Sequence, residues 1–242
     1  MNSIEVILSP ALFEFRTTID ENIVVVIDVL RATTAFCAAF DSRIETVIPV
    51  SVLEELLEFK NKGYLTAAER DGNKVDFADF GNSPVVFLKI KLAGKRLAYS
   101  TTNGTQAVEM AKSSGNIAVA AFANISAISA WLTNQQKNVV ILCSGWKNTF
   151  SLEDTLCAGA LAESLEISGK FRHICDASEV SIKLWQSSKI NLLEVVKKAN
   201  HYQRLVKLGQ LEDLQHCFLL NTSKAVPVWD GTGFVNLSKD TI

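Results

Sequence analysis

The stretch Ile23-Val-Val-Val-Ile-Asp-Val29 contains only β-branched residues and one charged side chain, and it decides the fold class. Apolar runs of this kind are typical of central strands in parallel sheets, whose two faces are both covered by helices. A helix is predicted directly after the run, over Ala32–Phe40, and further strand–helix pairs follow along the chain. This alternation predicts an α/β protein with a largely parallel sheet.

Strands and helices are predicted to alternate up to Phe171, and helices dominate after it. The other strands of the alternating part are expected at Glu45–Val50, Arg96–Ser100, Asn116–Ala121 and Asn138–Cys143. Its other helices are expected at Val52–Lys62, Thr105–Lys112, Ser126–Leu132 and Leu152–Ser164. The helical C-terminal portion comprises Ala177–Ser187, Leu192–Ala199, Tyr202–Leu208 and Leu211–Leu219, followed by a short strand, Ala225–Trp229. Since no repeat or linker-like segment divides the chain, we expect one domain over residues 1–242, with a two-lobed arrangement as the alternative.

Composition excludes several classes of protein. The 242 residues are 48% apolar, which argues against disorder. A net charge of −2 argues against a nucleic-acid partner that depends on a strongly positive surface. The 5 cysteines are scattered and form no zinc-binding motif, so buried thiols in a reducing compartment are expected. No signal peptide and no membrane span are predicted, and we expect a cytoplasmic protein without a membrane partner.

The first unusual strand end is Asp28, a charged residue that follows an apolar strand. Ligands of parallel sheets bind at the carboxyl ends of strands, where helix N-termini present unpaired N–H groups. Burying an aspartate is costly unless its carboxylate is paired or bound to a metal. Because Arg31 follows closely, two interpretations stay open: an Asp28–Arg31 ion pair that holds the turn, or a ligand site.

The second strand end is the turn Ser100–Thr105, in which small polar residues surround Gly104. The backbone N–H groups of such a turn can form a concave nest that suits a phosphate or sulfonate. An ordinary Asn-Gly turn with threonine caps fits the same residues equally well. Two further loop-like segments, Glu69–Gly72 and Phe80–Pro84, place charged and hydrogen-bonding groups in an otherwise apolar chain.

The third strand end is Cys143–Asp154, which carries the adjacent acids Glu153 and Asp154. Ser151 and Asp154 have the spacing of a capping box, so both acids could simply oppose the dipole of the following helix. The alternative is that they share a hard cation with Asp28. Surface or packing roles, rather than catalytic ones, are expected for the histidines of the C-terminal portion, His173, His201 and His216.

Five segments, in order along the chain, resemble the 2-phosphosulfolactate phosphatase family (the ComB-like proteins). They are Val26–Thr34, Phe80–Pro84, Thr101–Thr105, Phe150–Ala160 and Trp229–Gly233. The resemblance implies a three-layer α/β/α fold and a Mg²⁺-dependent hydrolase. Its substrate would be 2-phospho-3-sulfolactate, an intermediate of coenzyme M biosynthesis. The chain departs from the family pattern at Ala68, where glycine is usual, and at Trp146, where smaller residues are commoner.

The resemblance also implies roles for the polar strand ends. Catalytic roles are expected for Asp28, Arg31, Glu153 and Asp154, and Mg²⁺ would be held by Asp28, Glu69, Glu153 and Asp154. A small anionic phosphorylated substrate would be bound by Arg70, Asn82, Ser83, Thr101, Thr102, Asn103, Gly104, Thr105, Ser144 and Gly145. Two alternatives stay open: another small phosphorylated hydroxy acid as substrate, or a protein that binds a small anion without turning it over. The assembly is also open, with a homodimer as the candidate.

Overall fold

The computed structural model describes residues 1–13 and 22–238. Its strands are β1 (Asn2–Ile7), β2 (Ile23–Ile27), β3 (Thr46–Pro49), β4 (Leu65–Arg70), β5 (Asn73–Lys74), β6 (Arg96–Ser100), β7 (Ile117–Ala120), β8 (Val139–Cys143), β9 (Phe171–His173), β10 (Pro227–Trp229) and β11 (Phe234–Asn236). Its α-helices are α1 (Pro10–Phe13), α2 (Ala32–Asp41), α3 (Leu53–Asn61), α4 (Pro84–Lys89), α5 (Gly104–Ala111), α6 (Ile125–Gln135), α7 (Leu152–Ile167), α8 (Asp176–Ser188), α9 (Leu192–Val196), α10 (Asn200–Lys207) and α11 (Leu211–Cys217). Short 3-10 turns are present at Lys112–Ser114, Phe122–Asn124 and Lys189–Asn191.

The strands form one mixed sheet in the order β5-β4-β6-β3-β11-β10-β7-β2-β8-β1-β9. Two parallel blocks, β4-β6-β3 and β7-β2-β8-β1-β9, make up most of this sheet. The antiparallel hairpin β10–β11 joins them, because β10 pairs with β7 and β11 pairs with β3. Since three antiparallel pairs separate the blocks, the blocks run in opposite directions. The predicted α/β fold with a largely parallel sheet is confirmed.

Helix α2 lies between the two blocks, and its residues Ala32–Phe40 are all buried. Phe36 packs edge-on against Tyr99 of β6 and Phe234 of β11, at ring-centre distances of 5.0 and 5.5 Å. Val26 of β2 belongs to the same apolar cluster. Because each strand adds to the twist of a sheet, the two blocks can curve around α2. The ends of β2 and β6 lie close together, since a Cβ at Gly104, after β6, would lie 2.9 Å from Oδ2 of Asp28, after β2.

Helices also cover the outer faces of both blocks, as the three-layer prediction requires. On the second block, α7 and α8 pack so closely that a Cβ at Gly159 would collide with the carbonyl oxygen of Ser181. On the first block, Leu56 of α3 packs over Ala98 of β6. None of the helices in the described ranges combines the length and apolar character needed to cross a lipid bilayer.

Strand β4 is an element that the sequence pattern does not reveal. The segment Glu69–Gly72 was expected to be loop-like, but Glu69 and Arg70 end β4, and only the residues after them turn. Ala67 and Ala68 have low strand propensity, which explains why this prediction was wrong. The strand nevertheless has a consequence for the site, because it carries Glu69 towards the end of β6.

Candidate active site

Asp28 directly follows β2, between the ends of two neighbouring strands. Ile27, the last residue of β2, pairs with Ala120 of β7 and with Cys143 of β8. The Asp28 N–H donates to Oγ1 of Thr33 (3.1 Å), and that hydroxyl donates to the Asp28 carbonyl oxygen (2.8 Å). Oδ1 of Asp28 accepts the N–H of Ala32 (3.3 Å). The Asp28 carboxylate is therefore held, buried, at the N-terminus of α2.

The turn after β6 reaches this carboxylate. Thr101 and Thr105 cap each other, since the N–H of each donates to Oγ1 of the other (2.9 and 3.2 Å). The N–H of Thr102 donates to Oε1 of Glu69 (2.8 Å), which joins the turn to β4. A Cβ at Gly104 would lie 2.9 Å from Oδ2 of Asp28. The structure thus brings together Asp28, Glu69 and the predicted substrate-binding turn. The turn has the threonine caps and also lies beside Asp28, so the two interpretations of its residues are compatible.

Gly104→Ala is expected to impair the site more than it impairs the fold. The added methyl would lie 2.9 Å from both Oδ2 of Asp28 and Cβ of Ala32, so the carboxylate or the turn has to shift. Displacement of a catalytic group by about 1 Å lowers kcat/KM by about 100-fold, whereas overpacking costs about 1–3 kcal/mol of stability. Phosphate-release kinetics and urea unfolding measure the two effects. Wild-type kcat/KM in this variant would show that Gly104 does not position Asp28.

Asp154 connects α7 to the loops that follow β2 and β8. Its Oδ1 accepts the N–H of Val29 (2.9 Å), and its Oδ2 accepts the N–H of Gly145 (3.0 Å). Burial raises the pKa of Asp154 well above its usual value, and the negative charges of Glu153 and Asp28 raise it further. Its own N–H lies 3.4 Å from Oγ of Ser151, so the cap expected at the start of α7 is present as well. The helix cap is therefore formed, and Asp154 also lies beside Asp28, so the two interpretations of this segment are compatible.

A surface or packing role was expected for His201, and the structure places this residue against Trp146 and next to a buried acid of the site. Its Nδ1 lies 3.1 Å from Oε1 of Glu153, and its side chain is only 11% exposed. Its ring centre lies 4.8 Å from that of Trp146. His201 also lies close enough to Asp28 to lower the pKa of that carboxyl. It comes from α10, and the sequence contains no motif that would place this helix at the sheet edge.

Arg31 does not form the ion pair with Asp28 that was considered as the structural alternative. Its Nη1 instead lies 2.6 Å from Oδ2 of Asp213, a residue of α11, and both side chains are almost fully buried. Nη2 of Arg31 donates to the carbonyl oxygen of Gly72 (3.1 Å). The Ser83 hydroxyl donates to the other oxygen of Asp213 (2.5 Å). Asp213 is thus a second residue that the sequence analysis missed, and it fixes both Arg31 and Ser83.

Arg70, Asn103 and Ser144 also have partners within the protein. The Arg70 guanidinium donates to the carbonyl oxygen of Glu69 (2.7 Å) and to Oγ of Ser100 (2.9 Å). Oδ1 of Asn103 accepts the N–H of Lys147 (3.1 Å). The N–H of Ser144 donates to the carbonyl oxygen of Ile27 (2.8 Å), which places Ser144 beside Asp28.

A small cavity of about 10 Å³ lies at the centre of these residues, with room for about one water molecule. Its lining includes Asp28, Arg31, Glu69, Asn82, Asn103, Trp146 and His201. Oδ1 of Asn82 and Oγ1 of Thr102 are buried without a hydrogen-bond partner among the described residues. Asn82 therefore brings to the cavity lining an oxygen whose hydrogen-bonding capacity these residues do not use.

Negative charge exceeds positive charge in this region. The carboxylates of Asp28, Glu69, Glu153, Asp154 and Asp213 are all buried, and Arg31 is the buried arginine that faces them. Burial raises the pKa of Asp28 to about 6; His201 opposes this shift and Glu69 adds to it. Such an excess of buried carboxylates needs a cation or protons to balance it.

The four predicted metal ligands differ in how the protein uses them. Both oxygens of Glu69 accept N–H groups, from Thr102 and Gly72, and both oxygens of Asp154 do the same. Asp28 accepts an N–H group on Oδ1 alone. Within residues 1–13 and 22–238, no three His, Cys, Asp or Glu side chains converge into a ready-made metal cluster.

Comparison with known proteins gives the same family along most of the chain. A model of the 2-phosphosulpholactate phosphatase family matches residues 7–232. A probable 2-phosphosulfolactate phosphatase from Caldanaerobacter subterraneus is 35% identical over 224 residues, which cover 91% of this chain and 92% of that protein. The protein of the same name from Synechocystis is 41% identical over 199 residues, covering 80% and 83%. The chain therefore belongs to the 2-phosphosulpholactate phosphatase family, a family of phosphoric monoester hydrolases.

Proposed function

We propose that this protein hydrolyses the phosphomonoester of 2-phospho-3-sulfolactate to 3-sulfolactate and phosphate, with Mg²⁺ as its cofactor. Membership of the family supports the reaction, and the names of its relatives support the substrate. The observation that carries the proposal is the buried Asp28 carboxylate, which lines a cavity together with Glu69, Asn82 and Arg31. Phosphoryl transfer depends mainly on positioning and on charge neutralisation, and these groups can supply both.

The residues around Asp28 fit a magnesium ion. Mg²⁺ prefers oxygen ligands and commonly takes one or two carboxylates, with waters and substrate phosphate oxygens completing its coordination. Asp28 would be the principal protein ligand, with Glu153 or Glu69 next to it, and the unpartnered Oδ1 of Asn82 is a further oxygen on the cavity wall. When bound, Mg²⁺ would neutralise phosphoryl charge and lower the pKa of a bound water. The absence of a preformed cluster of three ligands agrees with this sparse kind of site.

The protein's own groups would orient the substrate. The N-terminus of α5, held by the Thr101–Thr105 caps, faces Asp28 and favours an anion through its N–H groups and its dipole. Arg31 contributes a positive charge whose position is fixed by Asp213. Glu153 contacts Nδ1 of His201 and so orients this ring at the cavity wall. Together, these contacts would place the phosphoryl group next to Asp28 before any bond breaks.

Removal of divalent metal is expected to abolish phosphate release, and added Mg²⁺ is expected to restore it. The physical reason is that Asp28, Glu69 and the phosphoryl dianion would otherwise face each other as buried negative charges. The assay measures phosphate from synthetic 2-phospho-3-sulfolactate in EDTA, and then with Mg²⁺ in excess over EDTA. The same assay with 2-phospholactate tests the wider class of phosphorylated hydroxy acids. Full turnover in EDTA would refute the metal dependence, and sulfolactate binding without phosphate release would favour an anion-binding protein.

A further inference from the structure

A second and larger pocket adjoins the Asp28 cavity. Its volume is about 400 Å³, which lies in the range of small-molecule sites. Trp146 and His201 line both spaces, so the two spaces adjoin at these rings, whose planes are tilted by 46°. The pocket is lined by side chains of three segments: the loop before α7, the start of α7 and the start of α10. Among its lining residues, Glu153 and His201 have roles in the proposed function.

Arg204 of α10 is held in place at this pocket, yet one of its N–H groups has no hydrogen-bond acceptor among the described residues. Its guanidinium carbon lies 4.1 Å from the ring centre of Trp146, which fixes the plane of the group. Its Nη1 is buried and has no hydrogen-bond partner among the described residues. Its Nη2 lies 3.8 Å from Oδ1 of Asp71, an exposed carboxylate that is beyond hydrogen-bonding distance. A buried charged donor without an acceptor is costly, so this position favours an anionic ligand.

The charged residues that line the pocket favour the binding of an anionic ligand. Lys198 lies exposed on the rim, and Arg204 lies on the wall. The carboxylate that lines the pocket, Glu153, already contacts His201. Arg70, the arginine expected to bind the substrate, donates to Glu69 and Ser100 instead. Arg204 therefore offers this pocket a donor that the described residues do not use.

We propose that Arg204, stacked on Trp146, binds the sulfonate of the substrate in this pocket while the phosphoryl group faces Asp28. This inference rests on the proposed function, because it concerns the same substrate. In 2-phospho-3-sulfolactate, the phosphate ester and the sulfonate are on adjacent carbons, and the two spaces adjoin at Trp146 and His201. A planar guanidinium matches two oxygens of an oxyanion with parallel N–H donors. Arg204 would thus distinguish sulfonated from unsulfonated phosphoesters.

The test compares two substrates that differ only in the sulfonate. Arg204→Gln is expected to lower kcat/KM for 2-phospho-3-sulfolactate by about 10- to 100-fold, the effect of losing a charge-assisted hydrogen bond. The loss should appear mainly in KM, because the sulfonate does not react. For 2-phospholactate, kcat/KM should change by less than about 3-fold, as expected for a site that the sulfonate alone occupies. Arg204→Lys, which keeps the charge and loses the planar donor pair, should fall between wild type and Arg204→Gln.

Arg96→Gln is the matched control, since the guanidinium of Arg96 lies 4.1 Å from the ring centre of Tyr64 but at the start of β6, away from the Thr101–Thr105 turn. It should leave both substrates unaffected. Equal losses with both substrates in Arg204→Gln, or no loss with either, would overturn the proposal. If wild type releases phosphate from neither substrate, the proposed function fails. Calorimetry with 3-sulfolactate then tests the pocket alone: binding lost in Arg204→Gln supports the assignment, and equal binding overturns it.

Discussion

Asp28→Asn is expected to stabilise the protein above pH 6 and to remove its phosphatase activity. Burial raises the pKa of Asp28 from 3.8 to about 6, so the folded state binds this proton more tightly than the unfolded state does. The resulting stabilisation is complete below pH 3.8 and is lost as the pH rises through about 6. The loss reaches about 3 kcal/mol at about 1.4 kcal/mol per pKa unit. Asparagine carries no charge and avoids that loss.

Melting temperatures of wild type and Asp28→Asn in EDTA, from pH 4 to pH 8, measure this effect. The two proteins should melt together near pH 4, and the variant should melt higher at pH 8. Added Mg²⁺ should raise the melting temperature of wild type more than that of the variant, because a ligand stabilises the state that binds it. If the difference between the two proteins were independent of pH, Asp28 would not be the strained buried acid described here.

Asp213→Ala is expected to destabilise the fold strongly. Its carboxylate and the Arg31 guanidinium form an ion pair at 2.6 Å, with side chains that are only 8% and 5% exposed. Removing one partner of a buried pair leaves an uncompensated charge, which costs about 3–5 kcal/mol. For a chain of this size, that corresponds to a decrease in Tm of about 10 °C. Turnover should fall as well, because Arg31 and Ser83 both lose the group that positions them.

Glu212, which precedes Asp213 in the sequence, provides the control for this experiment. Glu212 forms an ion pair with Lys89 at 2.8 Å, but these side chains are 69% and 64% exposed. An exposed pair contributes about 0–1 kcal/mol, so Glu212→Ala should unfold almost like wild type. Urea unfolding of the two variants side by side measures the difference. A loss in Asp213→Ala no larger than that in Glu212→Ala would mean that the Arg31–Asp213 pair does not stabilise the fold.

The sequence predicts the centre of the site because the chemistry of that region is local. An aspartate after the apolar run Ile23–Ile27 can be buried at low energetic cost in few environments. The glycine of the Thr101–Thr105 turn is explained by its close approach to Asp28. The adjacent acids Glu153 and Asp154 start a helix, which the capping spacing of Ser151 indicates. In each case, neighbouring residues alone constrain the conformation. The ends of the parallel neighbours β2 and β8 then bring Asp28 close to the start of α7, whereas the turn after β6 belongs to the block that runs in the opposite direction.

The other features of the fold and of the site depend on tertiary contacts, which no local pattern in the sequence reveals. The reversal between the two parallel blocks follows from the β10–β11 hairpin, whose strands are only three residues long. His201, Arg204 and Asp213 belong to short C-terminal helices. Amphipathic spacing shows which face of such a helix is buried, but not which part of the sheet it covers. These residues were therefore missed, although His201 lines the Asp28 cavity, Asp213 pairs with Arg31 and Arg204 lines the adjoining pocket.

Phosphate release from 2-phospho-3-sulfolactate by wild type and by folded Asp28→Asn, at the same Mg²⁺ concentration, tests the role of Asp28 most directly. Wild type should turn the ester over, and the variant should be slower by about 1,000-fold, which corresponds to several kcal/mol of lost charge stabilisation in the transition state. Near-wild-type turnover by the folded variant would contradict the assignment of Asp28 as the centre of the phosphatase site.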